Sequence, residues 1–432
     1  MPKSIIKNAL VIDPEQKIEQ KLDLLVEDGR VTRLSDALAT ETGRRAEVYD
    51  ASGLWLMPGV IDMHVHAREP GMERYEDLLS AARAAAAGGV TSILAMPNTS
   101  PAVDNPALLR KLQRRAAGAA VNIYFSAAIT KGRRGLALTC LKALKKAGAL
   151  AFTDDGSCVA DQDLLCAALK AAARLKIPVL EHPEALNITG DGVMHDCPRA
   201  RALRLPGIRR EAEVFMVLRD LLLAGAAGGP IHLQHLSCLE SVSALKTARK
   251  AGIAATAETC PHYFTLTCDD IKGGNADFKM KPPLREPKDR AAVRKGLADG
   301  TIDVIASDHA PHPAAGKAAG FLKAPFGVIG LETLVPLTLT ELVHKRVISK
   351  AGMVRLLSSN PARILNLKNK GALKAGMDAD LTLIDPFAEY TVRPRFYSKS
   401  SNSPFIGARL KGRAAAAMVG GRFVYRGIGD GS

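Results

Sequence analysis

The chain lacks several features that would assign it to a membrane, secreted or disulfide-rich class. No apolar run approaches the roughly 20 residues that a membrane-spanning helix needs, and residues 1–13 contain no apolar segment of the secretory-signal type. The seven cysteines are odd in number and scattered, and no Cys-x-x-Cys pair occurs among them. This excludes a zinc ribbon and disfavours a disulfide framework, so we expect reduced thiols and a cytoplasmic protein.

Aromatic residues are also scarce, at 4% of the 432 residues, so the 47% hydrophobic content is mostly Ala, Leu, Val and Ile. This composition is ordinary for an α/β enzyme, and the length suffices for a barrel-sized domain with a smaller one. The formal net charge is +15, but the basic residues are dispersed over helical segments with little aromatic interleaving. Nucleic-acid binding is therefore disfavoured, and a basic surface that steers an anionic substrate or an acidic partner subunit is expected.

Between residues 58 and 365 a short apolar run is followed eight times by an Ala- and Leu-rich segment. The strand candidates are 59–66, 89–98, 121–129, 148–156, 178–184, 230–237, 254–263 and 302–312. The helix candidates are 73–87, 105–117, 136–146, 161–175, 209–225, 239–251, 287–299 and 331–344. Eight such units predict an α/β fold of the (β/α)8 barrel type.

The two chain ends, residues 1–57 and 366–432, instead show short alternating strands broken by glycine-containing turns. Neither end supplies enough strand for a stable sheet of its own. We therefore expect the two ends to pair into one small β domain beside the barrel. The polar segment 393–403 is predicted to be a loop.

The most informative segment is DMHVHAREPG, from Asp62 to Gly71. It continues a buried strand, on which alternate side chains share a face, so His64 and His66 are expected to point the same way, about 6–7 Å apart. Neutral imidazole is a common zinc ligand, and such a pair can share one ion. Arg68 follows at once and is placed to hold an anion beside the metal.

Other imidazoles and carboxylates also come at predicted strand ends, where barrel enzymes carry their function. The candidate ligands are His64, His66, Asp155, His182, His235 and Asp308. This nitrogen-rich set favours zinc over magnesium or calcium, which prefer oxygen ligands. Six ligands exceed the needs of one tetrahedral ion, so two zinc ions are expected, with Asp155 as the bridging carboxylate.

A family resemblance rests on eight segments that occur in order along the chain. They are DMHVHAREPG, GGVTSILAMPNT, FTDDG, EHPE, LQHLS, KMKPPLR, GTIDVIASDHAPH and APFGVIGLET. With them the chain resembles the class I dihydroorotases of the amidohydrolase superfamily, over the barrel and both flanking ends. The resemblance implies a zinc-dependent hydrolase that converts (S)-dihydroorotate reversibly to N-carbamoyl-L-aspartate in pyrimidine (UMP) biosynthesis.

The resemblance also implies a division of the metal ligands. His64, His66 and Asp308 would bind the more buried ion, and His182 and His235 the second. Asp155 would bridge them, where related amidohydrolases use a carboxylated lysine. A metal-bridging hydroxide is the expected nucleophile, because two zinc ions lower the pKa of a shared water. Asp308 would act first as general base and then as general acid.

The same resemblance assigns the substrate contacts. Arg68, Asn98 and His312 would hold the substrate carboxylate, and the backbone near Phe326 and Gly327 would contact the ring amide. The Gly- and Ala-rich stretch 312–325 is predicted to be a mobile lid.

One position departs from the family pattern. Lys281 stands where the family has an asparagine that would hydrogen-bond the substrate ring. A lysine donates but cannot accept, and it adds positive charge near two cations. Either it reaches into solvent, or it pairs with the anionic substrate, or the activity is altered; a retained but retuned activity is our hypothesis.

Two alternatives to a dihydroorotase are weighed against these residues. A hydantoinase or allantoinase would carry a lysine at the end of strand 4, which this chain lacks, and a simple hydantoin has no carboxylate for Arg68 and Asn98. A non-catalytic subunit that supports aspartate carbamoyltransferase should have lost metal ligands. For partners, we expect a homo-oligomer, with possible association with aspartate carbamoyltransferase.

Several further polar residues near the strand ends receive structural interpretations. Asp154 and His309 are expected to face away from the metals, and His232 is assigned to the strand face opposite His235. Asp62 and His262 are either second-tier supports of the site or satisfied core groups. The loop residue His195 and the helical His344 have no assigned role.

Overall fold

The computed structural model describes residues 3–36, 38 and 46–427. The strands before the barrel are β1 (Lys3–Asp13), β2 (Ile18–Glu27), β3 (Arg30–Ser35), β4 (Ala46–Asp50) and β5 (Trp55–Pro58). The next strands are β6 (Val60–Val65), β7 (Val90–Ala95), β8 (Asn122–Ala127), β9 (Ala151–Phe152), β10 (Val179–Glu181), β11 (Met194–His195), β12 (Gly207–Ile208), β13 (Ile231–Leu233), β14 (Ala255–Thr259) and β15 (Val304–Ile305). The last are β16 (Leu381–Thr391), β17 (Arg409–Val419) and β18 (Arg422–Arg426).

The predicted barrel is confirmed. Eight parallel strands pair in the order β6-β7-β8-β9-β10-β13-β14-β15. Val65 bridges in parallel to His309, and the backbone N–H of His66 donates to the His309 carbonyl at 2.9 Å, which brings the last strand back to the first. The short strands β11 and β12 pair with each other outside this barrel. Each barrel strand lies within its predicted range.

Helices surround the barrel. They are α1 (Leu78–Ala87), α2 (Pro106–Ala116), α3 (Leu141–Lys146), α4 (Gln162–Leu175), α5 (Leu186–Thr189), α6 (Pro198–Ala202), α7 (Glu211–Ala227), α8 (Leu239–Lys250), α9 (Pro261–Thr265), α10 (Pro287–Ala298), α11 (Ala314–Lys317), α12 (Gly320–Lys323), α13 (Leu334–Thr338), α14 (Lys350–Val354) and α15 (Asn360–Ile364). Asp77, Asn105 and Asp161 start their helices by accepting a backbone N–H three residues later. In the described part of the chain no helix has both the length and the apolar character to cross a membrane.

Some predicted helix boundaries are wrong for a local reason. Helix α1 begins at Leu78 rather than at residue 73, because Asp77 and Ser80 form a capping box that sets the start. The predicted helix 331–344 is split into α13 and a π-helical turn, Leu339–Val343. The predicted lid contains the two short helices α11 and α12; its mobility stays a prediction.

Both chain ends contribute to one flanking sheet, as predicted. Its order is β18-β17-β16-β5-β1-β2-β3, with β4 paired to β1. Strand β5 joins the two halves, since it pairs with β1 on one side and β16 on the other. Buried residues such as Ile6, Leu56 and Leu383 form the core of this sheet. The boundaries proposed at residues 57/58 and 365/366 stay predictions.

Candidate active site

The first group of predicted ligands converges at the carboxyl ends of the strands. Nε2 of His64 lies 3.3 Å from a carboxylate oxygen of Asp155 and 3.3 Å from one of Asp308. Nε2 of His66 lies 3.0 Å from the same Asp308 oxygen and 3.5 Å from the other oxygen of Asp155. All four side chains are buried. Both imidazoles therefore point a nitrogen at the same two carboxylates.

The remaining two ligands lie on the other side of Asp155. Nδ1 of His182 is 3.5 Å from Asp155 Oδ1, and Nε2 of His235 is 2.8 Å from that same Nδ1. Asp155 thus contacts histidines of both groups, as a bridging carboxylate would. The six predicted ligands lie at the ends of five different barrel strands, and the structure brings all six together.

The donor set fits a cation. Among the described residues, His64 Nε2 and Asp155 Oδ2 are buried without a hydrogen-bond partner, although each faces the centre of the cluster. Buried polar atoms left without a partner are costly, and a bound ion is one of the ways in which proteins satisfy them. Ligand atoms of His64, His66 and Asp308 lie within 4.8 Å of one another, as do those of His64, Asp155 and His235.

The charges of the cluster are also those of a cation site. Burial opposes ionisation of Asp308, but the neighbouring His64 and His66 outweigh it and hold the pKa of that carboxyl below its ordinary range. Burial likewise opposes protonation of His182, but Asp155 and Glu184 raise its pKa to about 9, so the carboxylates attract a proton there that a bound ion would displace. Burial, with His182 nearby, lowers the pKa of His235 to about 3. The carboxylates therefore keep the negative charge that binding of a divalent ion requires.

The backbone at these positions is unusual. Arg68, His235 and Asp308 have φ values of +60°, +37° and +47°, in the left-handed region that non-glycine residues seldom adopt. Such conformations cost about 1–3 kcal/mol each and concentrate at functional sites. They also end the simple alternation of side chains, so that residues just beyond a strand no longer follow its faces.

Three hydrogen bonds hold the ligand imidazoles from outside the cluster. Nδ1 of His64 donates to Glu258 at 2.6 Å, Nδ1 of His66 donates to Asn98 at 2.9 Å, and Nε2 of His182 lies 3.2 Å from Glu184. In each case the other ring nitrogen faces the cluster, where it can serve as a ligand atom. This role of Glu258 and Glu184 is not predicted from the sequence, although Glu184 belongs to the segment EHPE.

Asp62 supports the same region through the backbone. Its Oδ1 accepts the N–H groups of His64 and Ser307, both at 3.1 Å, and so ties the first barrel strand to the residue before Asp308. Burial raises the pKa of Asp62 to about 6. Of its two interpretations, the structure favours support of the site.

The expectation for His232 is wrong. Its neighbours Ile231 and Leu233 pack outward into the helical core, which places His232 on the inner side of the barrel. There its Nε2 lies 3.2 Å from Glu258, the residue that holds His64. The error comes from His235, whose left-handed backbone breaks the alternation on which the expectation relied.

Asp154, His309 and His262 differ in whether they face the predicted ligands. Asp154 accepts the backbone N–H of Ile129 at 2.8 Å, and His309 lies 3.3 Å from Glu76, so both face away from the ligands. His262 is buried, and one of its ring nitrogens lies within 4.8 Å of an Asp308 oxygen.

The two unassigned histidines lie outside the ligand cluster. His195 lies 3.1 Å from Arg285, and His344 donates to the Pro386 carbonyl at 2.9 Å, and neither contact involves a predicted ligand.

A cavity of about 280 Å³ opens over the ligands. The predicted substrate residues all line it, namely Arg68, Asn98, Lys281, His312, Phe326 and Gly327. Since Oδ1 of Asn98 accepts from His66, the amide nitrogen of Asn98 remains as its donor. Burial lowers the pKa of Arg68 to about 10, which leaves the guanidinium charged at neutral pH.

The cavity wall around His312 is already hydrogen-bonded. Nε2 of His312 donates to the Phe326 carbonyl at 2.8 Å, and the N–H of Gly327 donates to the Lys279 carbonyl at 3.0 Å. Asn402 accepts the N–H of His312 at 3.0 Å and donates to the Gly327 carbonyl at 3.0 Å. Asn402 belongs to the predicted loop 393–403, and no signal in the sequence connected it with the site.

Lys281 has a partner that the sequence interpretation did not name. Its Nζ lies 2.9 Å from Glu184 Oε1 and 4.7 Å from the centre of the Phe326 ring. The ammonium group is therefore held at the cavity wall by a carboxylate of the protein.

Comparisons with known proteins agree with this geometry. Residues 53–241 match the family model described as dihydro-orotase-like. A dihydroorotase from Trichlorobacter lovleyi is 44% identical over 425 residues, covering 98% of this chain and 99% of the relative, and one from Pelotomaculum thermopropionicum is 46% identical over 426 residues with the same coverage.

Solved structures show the same fold in a related group. An L-hydantoinase (dihydropyrimidinase) from Arthrobacter aurescens superposes with a TM-score of 0.89 at 26% identity, covering 99% of this chain and 96% of that one. A dihydropyrimidinase from Brevibacillus agri superposes with a TM-score of 0.86, also at 26% identity, with 98% and 95% covered. From its full-length similarity to the curated relatives, the chain belongs to the dihydroorotase family.

Proposed function

We propose that this protein catalyses the reversible hydrolysis of (S)-dihydroorotate to N-carbamoyl-L-aspartate in de novo pyrimidine (UMP) synthesis. The observation that carries the proposal is the position of Arg68 and Asn98, which line the same cavity as five of the six predicted ligands. A guanidinium fork and a neutral amide donor suit a carboxylate. The favoured substrate is thus a cyclic amide whose ring bears a carboxylate.

The proposed metal is zinc, with two ions per chain. His64, His66 and Asp308 would hold one, His182 and His235 the other, and Asp155 would contact both. When bound, zinc supplies a Lewis acid for the ring carbonyl and lowers the pKa of water toward neutrality.

Asp308 is the proposed proton carrier. Its low pKa keeps it as a carboxylate, able to accept the proton of the attacking water. As the ring C–N bond breaks and the new C–O bond forms, Asp308 returns that proton to the leaving nitrogen. Groups in this role contribute about 10²–10⁴-fold to rate. In the reverse direction the same residue takes the proton from the ureido nitrogen as the ring closes and water leaves.

Arg68 and Asn98 position the ring for this reaction. Arg68 is itself fixed, because its Nε donates to the Pro311 carbonyl at 3.2 Å. A fixed guanidinium binds a carboxylate with little further loss of side-chain freedom. Phe326 and Gly327 complete the wall that faces the ring amide.

One experiment tests the proposal against its alternatives. The purified protein is assayed for zinc content and for turnover of dihydroorotate, hydantoin and allantoin. We expect two zinc ions per chain and a clear preference for dihydroorotate. We also expect Asp308→Asn to abolish turnover of dihydroorotate. Preference for hydantoin would favour the hydantoinase alternative. A metal-free protein without turnover would favour a non-catalytic subunit.

For partners, we propose a homo-oligomer formed through α7. The outer side of this helix carries Phe215, Leu218 and Leu222, which are 59%, 47% and 70% exposed. Their spacing of three and four residues places them on one face, and exposed apolar stripes of this kind mark interaction sites.

The charges around α7 favour a second copy of this chain as the occupant. The first turns of α4, α7 and α8 carry acidic residues, including Asp163, Glu211 and Glu240. The last turns of α4 and α8 carry basic residues, including Arg174 and Lys250. A two-fold antiparallel contact would bring the acidic ends opposite the basic ends. Association with aspartate carbamoyltransferase would be the alternative use of this surface.

We also propose a cytoplasmic location. All seven cysteines lie in the described ranges, and each is a free thiol. Free thiols in this number are typical of a reducing compartment.

A further inference from the structure

Lys281 lines the cavity together with the predicted metal ligands and is linked to one of them, His182, through Glu184. Its side chain is 25% exposed and lines the cavity, while its Nζ is 2.9 Å from Glu184 Oε1. The ammonium group also lies over the ring of Phe326, at 4.7 Å from its centre. Two protein groups therefore fix the end of this lysine, which is otherwise a flexible side chain.

Glu184 connects Lys281 to a ligand. One carboxylate oxygen, Oε1, contacts Lys281 and accepts the hydroxyl of Thr189 at 2.8 Å. The other oxygen, Oε2, lies 3.2 Å from Nε2 of His182. Glu184 is buried, so its orientation depends on these few contacts. Among these three partners of the Glu184 carboxylate, Lys281 contributes an ammonium group.

The orientation of His182 follows from Glu184. A metal ligand must be a neutral imidazole, and when neutral His182 donates its Nε2 proton to Glu184 its lone pair is on Nδ1, the nitrogen nearest His235 and Asp155. A carboxylate behind a ligand histidine fixes its tautomer and ring orientation, and loss of such a partner typically lowers metal affinity by about 10–100-fold.

We propose that Lys281 is a positioning residue that acts through Glu184 to hold His182 with Nδ1 toward the second metal. This would explain how an ammonium group is accommodated where related chains have an amide: its charge is directed to Glu184. The inference rests on the proposed metal centre but not on the identity of the substrate.

The test is a metal titration of the apoprotein, with Co²⁺ followed by its absorption spectrum and with Zn²⁺ in competition with a chromophoric chelator. For Lys281→Met we expect the second equivalent to bind about 10–100-fold more weakly, with the first equivalent unchanged. Lys281→Arg, which keeps the cation, should retain most of the affinity. Lys288→Met is the matched control, since Lys288 pairs with Glu286 at 3.1 Å on the exposed surface.

A double-mutant cycle with Glu184→Gln shows whether Lys281 acts through Glu184. We expect the two substitutions together to weaken the second equivalent little more than Glu184→Gln alone. Additive effects, an unchanged second equivalent in Lys281→Met, equal weakening of both equivalents, or a wild-type chain that binds a single ion would each overturn the inference.

The readout is separate from that of the proposed function. A protein that binds two ions with the expected pattern but leaves dihydroorotate unchanged would refute the proposed substrate and leave the role of Lys281 standing. Thermal unfolding of each apoprotein identifies any variant that is misfolded, and Lys281→Asn then serves as the second substitution.

Discussion

Glu258 and His64 form a buried hydrogen bond of 2.6 Å across the barrel, between its seventh and first strands. The second carboxylate oxygen of Glu258 lies 3.2 Å from His232, so both oxygens face imidazoles. Burial opposes ionisation of Glu258, but the two histidines outweigh it and lower its pKa to about 2. Glu258 thus remains a carboxylate that keeps Nε2 of His64 toward Asp155 and Asp308.

This pair predicts that Glu258→Gln weakens the first metal equivalent. The amide keeps the shape of the side chain but loses the charge that fixes the His64 tautomer, so we expect about 10–100-fold lower affinity. Metal titration of the apoprotein measures it. Glu240→Gln is the control, because Glu240 is exposed on α8. Equal affinity in wild type and Glu258→Gln would mean that His64 is oriented by other contacts.

The convergence of the six candidate ligands could be predicted because their signal is local. His64, His66 and Arg68 are adjacent in sequence, and strand ends in a barrel meet at one rim whatever the details of packing. The partners of the ligands could not be predicted in the same way. Alternation places Glu258 inside the barrel, but nothing near it in sequence selects His64, which is 194 residues away.

The errors have a common physical origin. Period-two alternation holds within a strand, but His235 lies beyond β13 with a left-handed backbone, and the face of His232 was inferred from it. Asn402 shows a second limit of sequence-based prediction. It forms a hydrogen bond with His312, 90 residues away in the sequence, and the sequence predicts only a polar loop for its segment. Long-range contacts of this kind depend on how the flanking segments fold back over the barrel.

The carboxylate clamp predicts a selective loss in Arg68→Gln. Removing a buried cation leaves the substrate carboxylate without its partner, at a cost of about 2–5 kcal/mol, so kcat/KM for dihydroorotate should fall roughly 30- to 5,000-fold. Any slow turnover of hydantoin, which has no carboxylate, should change much less. Steady-state kinetics with both substrates measure this, with the exposed Arg74→Gln as control. Parallel losses on both substrates would argue against a carboxylate contact.

The α7 surface predicts a change of oligomeric state. Phe215→Glu with Leu222→Glu places charges in the apolar stripe, so we expect a dimer to become a monomer while turnover is retained. Light scattering after size-exclusion chromatography gives the mass. Leu136→Glu is the control, because Leu136 is 79% exposed elsewhere on the surface. A wild-type chain that is monomeric alone but binds aspartate carbamoyltransferase through this face would favour the alternative partner.

Lys317 predicts a pH dependence of stability. This lysine of the predicted lid is buried, and its Nζ donates to the carbonyls of Ala276, Lys279 and Pro325 at 3.0, 3.1 and 3.0 Å. Burial, with Lys279 nearby, lowers its pKa to about 7 from an ordinary value of 10.5. Between these two values the unfolded chain binds more protons than the folded one, so the free energy of unfolding rises with pH. Below about pH 7 both states are protonated, and the destabilising effect of the buried charge is fully present.

We therefore expect wild type to gain stability relative to Lys317→Met from pH 7 to pH 10, by up to about 1.4 kcal/mol per pH unit. Urea unfolding at several pH values measures this difference. Lys323→Met tests the specificity of the effect, because Lys323 is an exposed lysine of the same lid. Its stability should parallel that of wild type over the whole range. A Lys317→Met curve that also runs parallel to wild type would show that Lys317 keeps its ordinary pKa in the folded protein, because the three carbonyl acceptors that stabilise the ammonium group then outweigh its burial.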